Sequence, residues 1–214
     1  MGIHRKALSK AYFSRRTVQV ARSLIGKYLV RSLDGREIAG KIIEVEAYVG
    51  PRDKACHASK GKTQRTDVMF GPGGIAYVYL IYGMYHCLNV VTEREEFPAA
   101  VLIRAIEVDG VLIDGPGRLC RALQIDRSLN RIDLTTQESL WFEDRGGRIL
   151  RRQIAALPRI GVDYAGAWAK KPWRFRWQAV LPAKLMGGSK GEASKGPNAR
   201  SRFAIGAKKR TGAS

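Results

Sequence analysis

KIIEVEAYVGPRDKACHASKGKTQRTDVMFGPGGIAYVYLIYGMYHCLN, residues 41–89, contains two extended regions separated by a polar one. Residues 76–81 and 86–91 are apolar and aromatic runs on either side of a Tyr-Gly-Met-Tyr turn, which is typical of a β-hairpin. Residues 51–74 are polar and rich in glycine, and we expect a long surface loop there. The stretch therefore predicts antiparallel strands with a hairpin that extends from them.

The flanking sequence continues this pattern. Residues 28–32 and 38–48 are extended runs joined by Asp34-Gly35, a strong two-residue turn signal. Thr17 is a suitable N-cap for an amphipathic helix that ends before Gly26. The remaining predicted elements are that helix over residues 17–25, strands over 99–107 and 141–143, an edge segment over 159–162, and a short helix within 115–123.

The composition points to a polyanionic partner. The 214 residues include 38 Lys and Arg against 19 Asp and Glu, a formal net charge of +19. Such a surplus favours nucleic acid, although a ribosomal or merely soluble basic protein has the same charge. Three cysteines without CxxC spacing indicate neither a disulfide framework nor a thiolate zinc site. We expect an intracellular, reducing environment and no membrane anchor, because no apolar stretch reaches the roughly 18 residues that a span needs.

Polar side chains alternate along the strand predicted over residues 38–48. Glu44, Glu46 and Tyr48 fall on one face, which is either exposed to solvent or lines a pocket. In a pocket, burial and mutual repulsion would raise a carboxyl pKa and produce a general base. Arg104 interrupts an apolar strand, and it points either outward or inward toward a carboxylate, for which Glu46 is the obvious partner.

Aromatic residues and one histidine form the second candidate group. Tyr77 and Tyr79 share a strand face, either as core residues or as a binding platform. Tyr82 lies at the hairpin turn, where a large side chain can enter a base stack and fill the gap left by a flipped nucleotide. His57 is either a plain surface residue or a ligand contact. Three histidines without supporting acidic residues predict no metal site.

Five segments occur in the order EVEAYVGPRDKACHASKGKTQR, MFGPGGIAYVYLIYGMYHCLNVV, AVLIRAIE, GPGRLCRAL and PRIGVDYAGAWAKKPWRF. Together they resemble the alkyladenine (3-methyladenine) DNA glycosylase family over residues 12–178. The resemblance implies one α+β domain, residues 1–182, with a curved and mainly antiparallel sheet, short surrounding helices and a protruding β-hairpin. Residues 183–214 lie outside it and carry eight Lys and Arg against one Glu, which is typical of a basic, disordered tail.

The resemblance also implies a reaction. A monofunctional glycosylase of this family flips an alkylated or deaminated purine out of duplex DNA and hydrolyses its N-glycosidic bond with an activated water, leaving an abasic site. It would act as a monomer without a cofactor, in the bacterial cytoplasm at the nucleoid or in a eukaryotic nucleus. Glu46 would deprotonate the water, with Arg104 and the backbone carbonyl of Ile160 helping to hold it.

The remaining implied roles concern the flipped base. They are base stacking by Tyr48, His57 and Tyr79, pocket lining by Tyr77, exclusion of guanine's amino group by Asn89, and intercalation by Tyr82. A purine alkylated at N3 or N7 already carries positive charge, so one carboxylate suffices, and aromatic rings favour such a cation.

Two departures from the family pattern leave lesion preference and phosphate contacts open. Ile75 stands where the family often has His, and Gly117 where it often has Ser. Two other classes compete with the enzyme: an inactive, base-stacking binder of damaged or distorted DNA, and an RNA-binding, ribosome-associated protein. The binder would be expected to lack Glu46 or Arg104. The RNA-binding class explains the charge but not the Glu-x-Tyr strand beside a tyrosine hairpin.

Overall fold

The structure is a computed structural model that describes residues 5–178. Its α-helices are α1 (Lys10–Phe13), α2 (Thr17–Leu24) and α3 (Pro116–Ala122). Its strands are β1 (Lys6–Ala7), β2 (Tyr28–Leu33), β3 (Arg36–Val49), β4 (Ala76–Ile81), β5 (Tyr85–Val91), β6 (Ala99–Val108), β7 (Val111–Asp114), β8 (Leu140–Asp144), β9 (Ile154–Leu157) and β10 (Arg174–Trp177). Short 3₁₀ helices cover His57–Lys60, Asp67–Phe70, Arg127–Leu129, Arg151–Gln153 and Asp163–Trp168.

All ten strands form one antiparallel sheet in which β3 is central. The order is β1-β8-β2-β3-β6-β5-β4, with β7 paired to β6 and β10 paired to both β3 and β9. The 14 residues of β3 are long enough to pair with β2, β6 and β10. The predicted α+β domain with an antiparallel sheet, short helices and a protruding hairpin is confirmed.

The core lies where helices cover the sheet. α2 packs against β3, and α3 packs against β5 and β6. Val20 and Leu24 of α2 are fully buried in the same cluster as Ile42 and Val45 of β3. Each such side chain contributes about 1.5–3 kcal/mol by leaving water. No helix within residues 5–178 has both the length and the apolar character needed to span a bilayer.

The predicted hairpins are confirmed. β2 and β3 are joined by Asp34 and Gly35, both with positive φ, as a two-residue turn requires. β4 and β5 pair from Ala76 with Val90 to Ile81 with Tyr85. The predicted strands over 99–107 and 141–143 and the helix within 115–123 are also confirmed.

Three local predictions are wrong. Thr17 is the first residue of α2 rather than its cap; instead the Glu93 carboxylate accepts hydrogen bonds from the Thr17 amide and hydroxyl at 3.0 and 2.7 Å. Residues 51–74 are not the predicted surface loop throughout, because they contain two 3₁₀ helices and several buried residues, including Cys56 and Met69. Residues 159–162 form no strand, because Arg159 turns inward to a buried carboxylate. The predicted tail and its boundary at residue 182 lie outside the described residues.

One irregularity between β3 and β6 sets up the central side chains. Ile42 pairs with Ile106, Glu44 with Ala105 and Val45 with Ile103, so Ile43 and Arg104 are each passed over. Ile42, and not Ile43, therefore joins the main core with Val45. Irregularities of this kind redirect side chains. In this protein the irregularity falls at Glu44 and Arg104, close to Glu46.

Candidate active site

A cavity of about 550 Å³ opens between the β4–β5 hairpin, the start of α3 and the segment after Arg159. Eight of the nine sequence-predicted site residues line it: Tyr48, His57, Tyr77, Tyr79, Tyr82, Asn89, Arg104 and Ile160. The ninth, Glu46, is 0% exposed and lies behind the wall. The volume is in the range of pockets that bind small organic groups. The fold therefore brings together residues that lie more than 110 positions apart.

Glu46 contacts the cavity wall through every hydrogen bond that its carboxylate makes. Its Oε1 accepts the amide N–H of Ile160 at 2.8 Å, and its Oε2 accepts the Tyr48 hydroxyl at 2.9 Å and Arg104 Nη1 at 3.3 Å. The solvent-facing alternative for this strand face is wrong. The inward alternative for Arg104, with Glu46 as its partner, is confirmed.

Glu44 has a different environment from Glu46, although both are buried. It faces three arginines: Arg104 at 3.4 Å, Arg174 at 3.0 Å, and Arg176 in a close ion pair. Arg174 and Arg176 belong to β10, which pairs with β3. In this pairing Arg174 lies opposite Glu46, and Arg176 lies opposite Glu44. This carboxylate is therefore fixed by structural ion pairs, whereas Glu46 adjoins the cavity.

The protein raises the pKa of Glu46. Burial is the largest cause, because an ionised carboxylate loses its water; Arg104, the Ile160 amide and the Tyr48 hydroxyl oppose that effect by stabilising the charge. The carboxyl is consequently more basic than an exposed glutamate. A strongly buried acid with a raised pKa beside a cavity is characteristic of a general base.

Aromatic rings form one wall of the cavity. His57 Nδ1 lies 2.9 Å from the Tyr77 hydroxyl, which gives this buried tyrosine the polar partner that it needs. The rings of His57 and Tyr79 meet edge to face with centroids 4.7 Å apart. Although His57 is exposed toward the cavity, desolvation and then Arg65 lower the pKa of its imidazole to about 4. His57 is therefore neutral at physiological pH.

A buried ion pair between Arg159 and Asp53 lies against the ring of Tyr48. The side chains of Arg159 and Asp53 are both 0% exposed, with nitrogen–oxygen distances of 2.5 and 2.8 Å. Asp53 also accepts the amides of Val49 and Ala55, and Arg159 donates to the carbonyl of Ala47. The pair thus fastens the end of β3 to the segment that delivers the Ile160 amide to Glu46. Sequence analysis missed it, because nothing local links positions 106 residues apart.

The hairpin tip is strongly exposed. Tyr82 is 82% exposed and has a φ of +54°, a left-handed conformation that non-glycine residues seldom adopt, and Met84 beside it is also exposed. Tyr164, which the sequence analysis missed, is 72% exposed and lies on the cavity's rim in the 3₁₀ helix Asp163–Trp168. Its buried neighbours Val162 and Ala165 anchor it on either side.

Comparison with known proteins connects this geometry to a family. A profile of the family described as methylpurine-DNA glycosylase (MPG) matches residues 11–180. The chain belongs to the methylpurine-DNA glycosylase family. It is 51% identical over 184 residues to a protein of Methanocella arvoryzae, and the alignment covers 78% of this chain and 90% of the relative. Proteins of Myxococcus xanthus (49% over 173 residues; 78% and 88% covered) and Legionella pneumophila strain Lens (50% over 173 residues; 79% and 93% covered) are similarly close.

The three relatives carry the provisional name 3-methyladenine DNA glycosylase. The family resemblance stated from the sequence is therefore confirmed, and membership implies a DNA glycosylase role in DNA repair with DNA as the substrate.

Asn89 is buried, and its Nδ2 donates to the carbonyl of Tyr77 at 3.1 Å. That contact fixes the side chain against the hairpin at the base of the cavity. For Ile160 the observed contact of Glu46 is with the amide N–H, whereas the sequence prediction concerned the carbonyl.

The three cysteines of this chain are poorly suited to act as nucleophiles. Burial raises the pKa of Cys56 and of Cys120 to about 12, and it also raises that of Cys87, which lines the cavity. A thiol with a raised pKa is a poor nucleophile at neutral pH. Within residues 5–178, no three His, Cys, Asp or Glu side chains group in a way that could hold a metal ion.

Proposed function

We propose that this protein is a monofunctional glycosylase that flips a damaged purine out of duplex DNA and hydrolyses its N-glycosidic bond with water. The observation that carries the proposal is the position of Glu46, a buried carboxylate with a raised pKa directly behind an aromatic cavity. A carboxylate in this position can take a proton from water as the bond to the base breaks.

The water would lie on the cavity side of Glu46. Arg104 and Ile160 both contact the carboxylate and both line the cavity, so a water between them would be within reach of the general base. The positively charged Arg104 lies next to the Glu46 carboxylate and keeps it oriented. The negative charge of Glu46 would stabilise the sugar cation that develops in the transition state.

The purine would stack between Tyr48 and the wall formed by His57 and Tyr79. It cannot lie between His57 and Tyr79, because their ring centroids are only 4.7 Å apart and a stacked base needs roughly 7 Å between its two neighbours. The neutral imidazole of His57 can donate or accept a hydrogen bond without repelling a cationic base. Asn89 at the cavity's base would contact the purine edge and exclude guanine's amino group.

Catalysis with one carboxylate is consistent with the leaving group. An N3- or N7-alkylated purine departs as a neutral base and needs little acid assistance, whereas a deaminated purine would first require protonation. We therefore expect alkylated purines to react faster than hypoxanthine. Within residues 5–178 no lysine lines the cavity, which favours water over a Schiff-base nucleophile.

The exposed hairpin would hold the DNA open. Tyr82 would enter the base stack and fill the space of the extruded nucleotide, at a cost of a few kcal/mol of unstacking that the lesion itself reduces. Arg118 and Arg121 line the cavity's rim and are suited to flanking phosphates. We also propose that the protein acts as a monomer, either in the bacterial cytoplasm at the nucleoid or in a eukaryotic nucleus.

The test is single-turnover release of free base from a methylated duplex and from a duplex with one hypoxanthine. Wild type and Glu37→Gln, a change of an exposed carboxylate in the same strand, should both release base, whereas Glu46→Gln should bind the lesion but release none. Full activity in Glu46→Gln would defeat the role of Glu46. Tight lesion binding by wild type without release would favour the inactive binder.

Flipping has its own test. Tyr82→Ser should reduce the fluorescence of a reporter base placed beside the lesion, because the space of the extruded nucleotide is no longer filled. The cavity and Glu46 are unchanged in this variant, so the rate of bond cleavage at saturating protein should fall less than binding does. Unchanged reporter fluorescence would argue against intercalation.

A further inference from the structure

Arginines lie against two of the three rings that surround the proposed base site. The guanidinium carbon of Arg159 is 4.8 Å from the centroid of Tyr48, and that of Arg65 is 5.0 Å from the centroid of Tyr79. At such distances a cation is attracted to the ring quadrupole. A ring that already faces one cation attracts a second cation less, and the two cations repel each other.

The two arginines differ in how their charges are compensated. Arg159 is paired with the buried carboxylate of Asp53, so the pair as a whole adds little net charge to the site. Arg104 is likewise shared between Glu44 and Glu46. Arg65 is exposed and forms no ion pair with any carboxylate of residues 5–178. Of these three arginines, Arg65 is therefore the one whose charge is uncompensated, and it lies against the ring of Tyr79.

Arg65 acts on the wall without being part of the cavity lining. It is not among the residues that line the cavity, whereas Tyr77 and Tyr79 are. Its field nevertheless reaches the site, because Arg65 is a cause of the lowered pKa of His57 and opposes the raised pKa values of both tyrosines. Arg65 thus lowers all three pKa values. A nearby positive charge has this effect, because it disfavours the cationic form of His57 and favours the anionic forms of the tyrosines.

On this basis, and resting on the proposed function, we propose that Arg65 is a specificity-determining residue: its uncompensated charge weakens the binding of cationic purines relative to neutral ones. The attraction between the aromatic rings and an alkylated, cationic purine is thereby partly offset. Neutral lesions, such as deaminated purines, do not experience this repulsion. Arg65 would narrow the difference in affinity between the two classes of lesion.

The size of the effect follows from Coulomb's law. A base stacked against Tyr79 would lie about 8 Å from the guanidinium, and with an effective dielectric constant of about 20 and a screening length of about 8 Å, the repulsion corresponds to roughly 3- to 10-fold in affinity. The change should appear in the ratio of affinities for cationic and neutral lesions rather than in general DNA affinity.

The experiment measures equilibrium binding of the full chain to two duplexes, one with 7-methylguanine and one with hypoxanthine. A 2′-fluorine on the sugar of each lesion slows bond cleavage, so that binding is separated from chemistry. In Arg65→Gln the affinity for the cationic lesion should rise about 3- to 10-fold relative to the neutral one. Arg65→Lys keeps the charge and should keep the wild-type ratio. Arg52→Gln removes another exposed cation of the same segment and should also leave the ratio unchanged.

One binding result would overturn the proposal: an equal loss of affinity for both lesions in Arg65→Gln, with an unchanged ratio, would show that Arg65 contacts a phosphate instead. An NMR titration of His57 without DNA provides a second check, since removal of the charge should raise its pKa from about 4 toward the ordinary histidine range. An unchanged pKa would contradict the electrostatic reasoning. Failure of the proposed function would look different, because wild type would then release no base from ordinary lesion duplexes.

Discussion

Asp53→Asn tests how strongly the buried ion pair between Asp53 and Arg159 stabilises the fold. The substitution keeps the size of the side chain and one oxygen, but it leaves the Arg159 guanidinium buried without its counter-charge. Removing one partner of a buried ion pair costs about 3–5 kcal/mol, because the remaining charge has lost both water and its partner. The amides of Val49 and Ala55, which both donate to Asp53, would share a single remaining oxygen.

The measurement is equilibrium unfolding in urea at neutral pH. With a slope of about 2 kcal/mol per molar, a loss of 3–5 kcal/mol lowers the midpoint by about 1.5–2.5 M, at an unchanged slope. Glu37→Gln is the matched control, because it breaks the ion pair between Arg5 and Glu37, in which both side chains are 42% exposed. Exposed pairs contribute about 0–1 kcal/mol, so this midpoint should hardly move.

A double-mutant cycle isolates the interaction itself. Arg159→Gln should be as destabilising as Asp53→Asn, and the double variant should lose clearly less than the sum, since contacting residues couple by about 0.5–3 kcal/mol. A loss below 1 kcal/mol for Asp53→Asn, indistinguishable from Glu37→Gln, would refute the reasoning. The end of β3 and the Ile160 segment would then be held together by other contacts.

Three further predictions concern the active site and the core. Tyr48→Phe keeps the ring but removes the hydroxyl that donates to Glu46; the pKa of Glu46 should rise further, and because the ionised carboxylate is the active form, the acid limb of the single-turnover pH profile should move to higher pH. An unmoved profile would contradict this. Glu46→Gln should raise the melting temperature at neutral pH, because a folded-state pKa above the unfolded one means that stability is lost as pH rises through it; a lower melting temperature would be inconsistent with that sign. Gly40→Ala should cost about 1–3 kcal/mol in urea unfolding, because a Cβ would lie 2.6 Å from Ile106 Cδ1, whereas Gly147→Ala meets nothing within 4 Å and should be nearly neutral.

Strands and hairpins could be predicted from the sequence because they depend on local information. Alternation with a period of two, the Asp34-Gly35 turn and the aromatic runs around Tyr82 are complete within short windows, and the structure has these elements with nearly the predicted bounds. Short elements such as β1 and β9 were missed, because two to four residues carry no recognisable period.

The sequence by itself thus determined the sheet, the exposed hairpin, the basic charge and the family, and it singled out Glu46 together with its partner Arg104. Strand alternation places Glu44 and Glu46 on the same face, and only the tertiary structure shows that Glu46 contacts the cavity wall while Glu44 is held by the arginines of β10. It also decided that Asp53 meets Arg159, and that Arg65 lies against Tyr79 without an ion pair to any carboxylate of residues 5–178. The physical reason is that the pKa and charge balance of a buried group depend on neighbours brought from distant positions, which no local pattern contains.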